Sequence, residues 1–600
     1  MRTPGLARLL YRSAAVRLAE ALEIGRRARA ATGEPLPVLL ACGFTPLHLA
    51  TFLQAHLQRR RPTRPVQLIT GLFGDLAGTL ETHAAPVEAA VAVVEWSDLD
   101  PRLGVRGTGA WGPSALPDVI ASVERAAGRL RAALERRTAQ APIALALPTL
   151  PLAPLGHMPG GRASAFEADL DAVVQALGAW AARHPRIALV RARRLDALSP
   201  PGERLDVGGE VRNGFPYRVP HADTVADLLA ELVAPAQPKK GLITDLDDTL
   251  WGGILGEVGS AGVRWDLAGG LHMHGALQQC VAALAESGVL IAVASKNDPE
   301  RVDEALRRAD LRLPRDRIFP VEAGWGPKSA AVAKILHAWN VSAGDVVFVD
   351  DSAMELAEVA AAHPGLECVR FPVDDPAAAW HLLERLRDLF GRPRLSAEDG
   401  LRLASLRERA AVTAPAAGTD GFEAFLAGAE ARLTLDDTPD ADDPRALELV
   451  NKTNQWNLNG RRFSESQWRR LLAEPGAFLL RVAYEDRFGP LGTVAVLAGR
   501  AAADAVHLTV WVMSCRAFSR RIEHQALRHV FRRFGAEEVT LEYEKTDRNE
   551  PLREFLAGLP GSSLAGAGAR VRRAELEAAC PPLHHTLIEK HPAGASKGVA

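Results

Sequence analysis

Short apolar runs separated by longer amphipathic segments dominate the first two thirds of this chain. This alternation is typical of α/β domains, in which each apolar run forms a buried strand and each amphipathic segment forms a helix that covers the parallel sheet. We therefore predict the α/β fold class. The strands expected in the first domain are Val38–Ala41, Val66–Ile69, Val91–Val94, Ile143–Leu147 and Ile187–Val190.

Length and linkers predict several domains. A chain of 600 residues corresponds to three or four domains at roughly 100–200 residues each. The Pro- and Lys-containing segment 234–240 is expected to link a first α/β domain at 1–235 to a second at 240–390. Residues 391–420 are expected to link the second domain to a mixed α+β domain at 421–590. The strands expected in the second domain are Leu242–Thr244, Leu290–Ala294 and Val346–Val349.

Charge and cysteine content argue against several classes of function. Lys plus Arg total 71 against 73 for Asp plus Glu, without a long basic run, so we expect no nucleic-acid partner. The five cysteines lack the close spacing of a zinc site, which fits a reducing compartment. Arginines interrupt the N-terminal apolar residues, and no apolar run approaches about 20 residues. We expect a cytoplasmic protein with no membrane partner.

Two carboxylates directly follow the first strand of the second domain. Asp245 and Asp247 stand at positions i and i+2 after the apolar residues 242–244. The carboxyl ends of parallel strands form the crevice in which α/β folds bind ligands. A carboxylate there can attack phosphorus and form an aspartyl-phosphate, while a second can protonate the leaving oxygen and then deprotonate water. The same pattern also fits a strand followed by a plain acidic turn.

Three further elements, which arrive in order and are each assigned to a strand end, favour the chemical interpretation. Ser295 offers a hydroxyl for a phosphate oxygen. Lys328 can neutralise both a phosphate and the nucleophilic carboxylate. Asp350 and Asp351 supply carboxylates for Mg²⁺, which prefers oxygen ligands. The set predicts a Mg²⁺-dependent phosphoryl-transfer site.

These elements follow the order of the four motifs of the haloacid dehalogenase (HAD) superfamily, which this domain resembles. The resemblance implies a Rossmann-like fold and a catalytic set. The catalytic residues would be Asp245, Asp247, Ser295 and Lys328. The phosphate-binding residues would be Thr249 and Asn297. The metal would be held by the Asp245 carboxylate, the Asp247 carbonyl oxygen and a carboxylate from Asp350 or Asp351, of which Asp351 is favoured.

The spacing between these motifs bears on access to the site. Between Thr249 and Leu290 there is room for a flap and one helix, and between Asn297 and Lys328 for one further helix–turn unit. No cap domain fits, and capless members of the superfamily leave the site open to a substrate that another macromolecule carries. The glycine-rich segment 251–259 is either a flap over the site or a plain hairpin. His272 and His274 are expected at the surface or at a helix start.

Longer elements resemble the FkbH-like branch of the superfamily (subfamily IIIC type). They are Leu246-Asp-Asp-Thr-Leu-Trp-Gly-Gly-Ile-Leu-Gly-Glu, Ser295-Lys-Asn-Asp, Phe348-Val-Asp-Asp-Ser, Asn451-Lys-Thr-Asn-Gln-Trp-Asn-Leu-Asn and Met513-Ser-Cys-Arg. The resemblance implies removal of phosphate from an activated three-carbon phosphoglycerate and delivery of a glyceryl unit to an acyl carrier protein, in polyketide or related biosynthesis. Many glyceryl-transferring members have a cysteine between the two aspartates. Here that residue is Leu246, so covalent transfer through this position is not expected.

The C-terminal domain resembles GNAT acyltransferases. Strands are expected at Thr493–Leu497 and Val506–Val512, before the loop in which active members use glycines to approach the pyrophosphate of acetyl-CoA. Ser519 and Arg521 stand in the places of those glycines, so we expect no acetyl-CoA catalysis. A phosphopantetheine arm, or no cofactor, fits better. Cys515 is expected to pack rather than to react.

The N-terminal domain loosely resembles SGNH hydrolases, which have a flavodoxin-like α/β fold. An active member needs a serine after the first strand and an Asp-x-x-His near the end. This chain has Cys42 after the first strand, and Arg218 stands three residues before His221. We expect a non-catalytic docking role, with Cys42 as the one remote candidate for a nucleophile.

These features predict a HAD-superfamily phosphatase or phosphotransferase. Its expected substrate is a phosphorylated small acid, its cofactor Mg²⁺ and its partner an acyl carrier protein. The alternatives are an uncapped phosphatase of another substrate and a degenerate, non-catalytic scaffold. A scaffold would be expected to have lost Asp245, Asp247 or Lys328, and all three are present.

Overall fold

A computed structural model describes residues 16–30, 33–107, 111–267, 270–392, 426–487, 489–502, 505–514, 517–518, 520–546, 549–559, 563–564 and 568–591. The chain divides into two compact units, Met1–Ala236 and Gln237–Ala600. Three separate sheets carry the architecture, which confirms the predicted α/β class. The predicted linker 391–420 lies almost wholly outside the described residues.

The first unit contains a five-stranded parallel sheet. Its strands are β1 (Leu36–Cys42), β2 (Val66–Thr70), β3 (Ala89–Val93), β4 (Ile143–Ala146) and β5 (Ile187–Leu189). Its helices are α1 (Leu18–Ala30), α2 (Leu47–Arg60), α3 (Leu76–Thr82), α4 (Trp96–Leu99), α5 (Leu116–Thr138), α6 (Ala165–Arg183), α7 (Ala192–Leu198), α8 (Val207–Asn213) and α9 (Val219–Val233). The strand order is β2-β1-β3-β4-β5. Val38 and Leu40 lie in one buried cluster and Leu39 and Ala41 in another, because both faces of the sheet are covered.

The second unit begins with another parallel sheet. Its strands are β6 (Gly241–Thr244), β7 (Leu290–Ser295), β8 (Ile318–Ala323), β9 (Val346–Asp350) and β10 (Glu367–Arg370). Its helices are α10 (Leu255–Val258), α11 (His272–Glu286), α12 (Pro299–Leu306), α13 (Lys328–Trp339), α14 (Ala353–Ala362) and α15 (Pro376–Phe390). The order β10-β9-β6-β7-β8 places β6 at the centre. Segment 251–259 contains α10 and is therefore not a plain hairpin; it is called the flap below. Apart from residues 268 and 269, which are not described, 250–289 holds the flap, a loop and then α11, so no inserted domain covers the sheet edge.

The rest of the second unit is built on an eight-stranded sheet. Its strands are β11 (Arg432–Asp436), β12 (Ala477–Asp486), β13 (Gly489–Ala501), β14 (Val506–Met513), β15 (Glu538–Leu541), β16 (Ser563–Leu564), β17 (Ala569–Arg572) and β18 (Thr586–Lys590). Its helices are α16 (Pro444–Lys452), α17 (Glu465–Ala473), α18 (Ile522–Phe534), α19 (Glu550–Gly558) and α20 (Arg573–Ala579). The strands from β11 to β14 are antiparallel, whereas β15 runs parallel to β14 after the crossover through α18.

Within the described ranges, every helix falls short of the combined length and apolar character that crossing a membrane requires.

Candidate active site

Asp245 stands at the carboxyl end of the central strand. Its predecessor Thr244 pairs with Val293 on β7 and with Val349 on β9, and the Asp245 backbone N–H donates to the Val349 carbonyl oxygen at 2.9 Å. The residue is only 6% exposed. Burial raises the pKa of Asp245 to about 7, against the lowering effect of Lys328 and with a further rise from Asp350. Because β6 is flanked on both sides, groups from β7 and β9 surround this carboxylate.

Lys328 joins two of these carboxylates. It is the first residue of α13 and does not stand at a strand end, so that expectation is wrong, because β8 already ends at Ala323. Its Nζ lies 2.9 Å from Asp245 Oδ2 and 2.6 Å from Asp350 Oδ2. Burial acts to lower the pKa of Lys328, but the attraction of Asp245 and Asp350 outweighs it, so the pKa lies above its usual value. Lys328 is therefore a fixed cation beside the predicted nucleophile.

Three carboxylates provide a candidate metal centre. Asp245, Asp350 and Asp351 each offer one oxygen, and these oxygens lie within 4.8 Å of one another. Burial and the neighbouring Asp350 raise the pKa of Asp351. Three acidic groups face one ammonium, so a further cation would relieve their repulsion. The all-oxygen donor set fits Mg²⁺.

The contacts of Asp350 and Asp351 differ. Asp350 is fully buried, with Oδ2 on Lys328 and Oδ1 accepting from the Ser352 backbone N–H at 2.8 Å. Asp351 Oδ1 accepts from the Thr249 hydroxyl at 3.1 Å, and its backbone N–H donates to the same hydroxyl at 3.0 Å. Because both oxygens of Asp350 are already engaged, Asp351 fits better as the metal ligand, in line with the preference from the sequence.

Asp247 is held by three N–H donors. Its Oδ1 accepts from Trp251 Nε1 at 2.9 Å and from the Leu255 backbone N–H at 3.1 Å. Its Oδ2 accepts from Asn297 Nδ2 at 2.9 Å, and the same amide group donates to Ser295 Oγ at 3.0 Å. The structure thus brings Asp247, Ser295 and Asn297 together. The phosphate-binding roles of Thr249 and Asn297 remain predictions.

Two buried side chains fix the loop after β6. His274 Nδ1 bonds to the Thr249 carbonyl oxygen at 2.8 Å, and Gln278 Nε2 donates to the Leu250 carbonyl oxygen at 2.8 Å. His274 lies at the start of α11, which agrees with one of the two expectations, but it is not at the surface, because the residue is 2% exposed. His274 and Gln278 are four residues apart on α11 and so lie on the same face of the helix. This spacing is the sequence signal that could have identified them as a buried polar pair.

Leu246 faces away from the crevice. Its side chain is fully buried and belongs to the apolar cluster that contains Leu242 and Trp251. The residues on either side, Asp245 and Asp247, carry the polar contacts. A side chain at position 246 therefore packs in the core of this sheet.

In the first unit, the positions expected for a hydrolase triad are occupied by a buried network. His221 Nε2 bonds to Thr149 Oγ1 and Nδ1 to Ser199 Oγ, both at 2.9 Å, and burial and Arg204 lower the pKa of His221 to about 3. The Cys42 thiol donates to the Phe44 carbonyl oxygen at 3.2 Å. Burial, with Asp98, raises the pKa of Cys42 to about 12, which makes it a poor nucleophile.

In the C-terminal sheet, a segment of the chain fills the space between β14 and β15. The two strands pair only at Val506–Leu508. Beyond this point, the Leu458 N–H donates to the Trp511 carbonyl oxygen and the Met513 N–H to the Trp456 carbonyl oxygen, both at 3.0 Å. Cys515 and Ser519 lie outside the described residues. Arg521, at φ 61°, directly precedes α18.

We expect no binding of acetyl-CoA to this sheet. Residues 456–458 already bond to the backbone of β14, so an acyl-CoA arm that formed backbone hydrogen bonds along this edge would have to displace them. Calorimetric titration of the full chain with acetyl-CoA is expected to give no heat of binding at physiological concentrations. A micromolar dissociation constant would show that the segment leaves room for the cofactor.

No family model matches this sequence, and no curated protein matches it. Among solved structures, the chain is similar to the N-terminal part of the protein BF1531 from Bacteroides fragilis, which contains a phosphatase domain and was complexed with Mg. The two are 18% identical, with a TM-score of 0.49, over 62% of this chain and 99% of that chain. A tagatose-6-phosphate ketose/aldose isomerase from Escherichia coli is 10% identical over 62% of this chain and 86% of that chain, with a TM-score of 0.13. At such values neither similarity carries an argument about this chain.

Proposed function

We propose that this chain is a Mg²⁺-dependent phosphatase of the HAD type that uses Asp245 as its nucleophile. The observation that carries the proposal is the placement of Lys328 between Asp245 and Asp350, with Asp351 beside them, at the carboxyl end of the central strand. A buried nucleophilic carboxylate, a fixed cation and an all-oxygen metal centre are the parts that phosphoryl transfer requires.

The reaction proceeds in two steps. Asp245 attacks phosphorus and forms an aspartyl-phosphate, while the bond to the leaving oxygen breaks and that oxygen takes a proton from Asp247. Water then attacks the phosphorus, gives its proton to Asp247, and releases phosphate and the Asp245 carboxylate. Lys328 stays fixed throughout and balances the charge that develops on the phosphoryl oxygens.

The residues that would hold Mg²⁺ are Asp245, Asp351 and the carbonyl oxygen of Asp247, with Asp350 beside them. When bound, Mg²⁺ neutralises charge on the phosphoryl group and polarises it toward attack. The chain itself supplies the oxygen donors and holds them close together through β6 and β9.

For the substrate, we propose a phosphorylated small acid, with an acyl carrier protein as the partner that hands it over. The sequence resemblance to FkbH-like proteins supports this, and so does the crevice edge, which no inserted domain covers within the described residues. Position 246 is a leucine that packs in the core, so the chain offers no thiol there to accept an acyl group. Any transfer would be direct: the pantetheine sulfur would bond to the acyl carbon as the bond from that carbon to the phosphate oxygen breaks, the thiol proton would pass to the departing phosphate, and Asp245 would not attack phosphorus in that step.

The first experiment asks whether the purified chain is a Mg²⁺-dependent phosphatase. We expect hydrolysis of p-nitrophenyl phosphate with Mg²⁺, its loss on addition of EDTA, and its return when Mg²⁺ is restored in excess. Hydrolysis that continues unchanged in EDTA would overturn the proposed metal dependence. Absence of hydrolysis of every phosphate ester tested would favour the scaffold alternative.

The second experiment separates the phosphatase from the glyceryl transferase. The chain is incubated with Mg²⁺, a three-carbon acyl phosphate and a holo acyl carrier protein, and the carrier is measured by intact-mass spectrometry. We expect phosphate release and an unmodified pantetheine thiol. A glyceryl adduct that disappears in Asp245→Asn would instead establish direct transfer.

A further inference from the structure

The two oxygens of Asp247 have different surroundings. Oδ1 accepts from Trp251 Nε1 and from the Leu255 N–H, so both of its lone-pair directions are occupied. Oδ2 accepts only from Asn297 Nδ2 among the hydrogen bonds of the described residues, which leaves one lone-pair direction open. The carboxyl group of Asp247 is therefore fixed with one saturated oxygen and one available oxygen.

The donors to Asp247 are themselves rigid. Trp251 is fully buried in the core cluster beneath β6, and Asn297 is 4% exposed and also donates to Ser295 Oγ. A buried indole and a buried amide lose little further freedom when they bind a carboxylate, so they hold its orientation at low entropic cost. Leu255 begins α10 in the flap, so the same oxygen also connects the flap to the site.

We propose that Trp251 and Asn297 are positioning residues that present Oδ2 of Asp247, and not Oδ1, to the reacting oxygens. This inference rests on the proposed phosphatase function. Asn297 connects Oδ2 to Ser295 at the end of β7, next to Asp245 on β6, and so aligns it with the side of the crevice where phosphate is expected. The hydrogen bonds from Trp251 Nε1 and the Leu255 N–H hold Oδ1 away from the side of the crevice where phosphate is expected.

In the first step the O–H bond at Oδ2 breaks, and its proton goes to the leaving oxygen as the bond from that oxygen to phosphorus breaks. In the second step a water proton returns to Oδ2 as the water oxygen bonds to phosphorus and the bond from phosphorus to Asp245 breaks. A carboxyl group that rotates freely would present either oxygen. It would therefore be correctly placed for only part of the time.

The test uses two substrates that differ in their need for a proton. A simple alkyl phosphate such as glycerol 3-phosphate releases a basic alkoxide, whereas p-nitrophenyl phosphate releases a stable phenolate. We expect Trp251→Phe, which keeps most of the ring volume and removes the N–H, to lower kcat/KM for the alkyl phosphate by at least about tenfold. The loss for the aryl phosphate is expected to stay below about threefold, because little acid assistance is needed.

Equal losses on both substrates, or no loss on either, would overturn the proposal, because damage to phosphate binding affects both substrates alike. Trp380→Phe is the matched control: Trp380 is exposed on α15, and its replacement is expected to change neither rate. If Trp251→Phe does not fold, Trp251→Leu, which also lacks the N–H, is tested by the same criterion.

A second measurement keeps the proposal separate from the proposed function. In the ¹⁵N-indole spectrum of the full chain, the Trp251 resonance is assigned as the one that disappears in Trp251→Phe. Asp247→Ala is expected to shift this resonance and to leave the Trp380 resonance unchanged. An unmoved Trp251 resonance would contradict the contact itself, whether or not the wild type is active. If the wild-type chain hydrolyses neither ester and the Trp251 resonance still shifts in Asp247→Ala, the proposed phosphatase function is refuted. The contact that orients the Asp247 carboxyl group is then still supported.

Discussion

Replacing Asp245 by asparagine is expected to reduce the hydrolysis of p-nitrophenyl phosphate by more than about a thousandfold, which is about 4 kcal/mol of barrier at 1.36 kcal/mol per factor of ten. The substitution keeps the shape of the side chain and removes the nucleophile. It also removes a buried charge whose ionisation is already disfavoured, since the pKa of Asp245 lies at about 7. Thermal stability is therefore expected to change little.

A matched control for this variant is Asp316→Asn, because Asp316 is exposed beyond the end of α12. Its rate and melting temperature are expected to equal those of the wild type. If Asp245→Asn keeps a rate within tenfold of the wild type, Asp245 is not the nucleophile.

Replacing Lys328 by methionine is expected to affect both rate and stability. The variant leaves Asp245 and Asp350 buried without their shared cation, and removing one partner of a buried ion pair typically costs about 3–5 kcal/mol of unfolding free energy. The rate is expected to fall by about a hundredfold or more, because a fixed positive charge next to the phosphoryl group is lost. Denaturant unfolding and steady-state kinetics measure the two effects.

Lys334→Met is the control for general effects of charge removal on α13. Lys334 is largely exposed, and its Nζ lies 3.3 Å from Glu322 Oε2. Exposed ion pairs of this kind contribute at most about 1 kcal/mol to the free energy of unfolding. If Lys328→Met proves as stable and as active as this control, the ion pair between Lys328 and the two carboxylates does not organise the site.

Local sequence pattern was sufficient to predict the strands that carry the site. β6, β7 and β9 are continuous apolar runs because both faces of the sheet are buried, and each run ends at a polar group that lies in the crevice. Since the carboxyl ends of parallel strands meet at one edge, the predicted proximity of Asp245, Ser295 and Asp351 followed from chain order alone. Lys328 begins α13 after β8, which was not predicted, so its place in the site was inferred from the order of the motifs. In the first unit, too, all five expected strands are present.

The edge strands of the second sheet could not be predicted in the same way. β8 contains Pro320 and Glu322 and is mostly half-buried, and β10 is four residues long with Glu367 and Arg370 at its ends. These two edge strands lack the continuous apolar run by which the other strands were identified, including the edge strands β2 and β5 of the first sheet.

Contacts between residues distant in the sequence were also beyond local pattern. The choice between Asp350 and Asp351 depends on the Ser352 N–H and on Lys328, contacts that the sequence preference for Asp351 did not contain. The contact of Trp251 with Asp247 depends on the turn after β6, which His274 and Gln278 hold from α11. Propensity and periodicity describe which face of an element is buried, but not which donor meets which acceptor.

The most direct test of the central claim is to detect phosphate on Asp245. The full chain is mixed with Mg²⁺ and p-nitrophenyl phosphate, quenched in acid within milliseconds to seconds, digested and examined by mass spectrometry. We predict a phosphoryl group on the peptide that contains Asp245, which appears within the first turnover, disappears when the substrate is exhausted, and is absent in Asp245→Asn. Hydrolysis at the wild-type rate with no phosphoryl group on that peptide at any time, or with the group on another residue, would contradict the account.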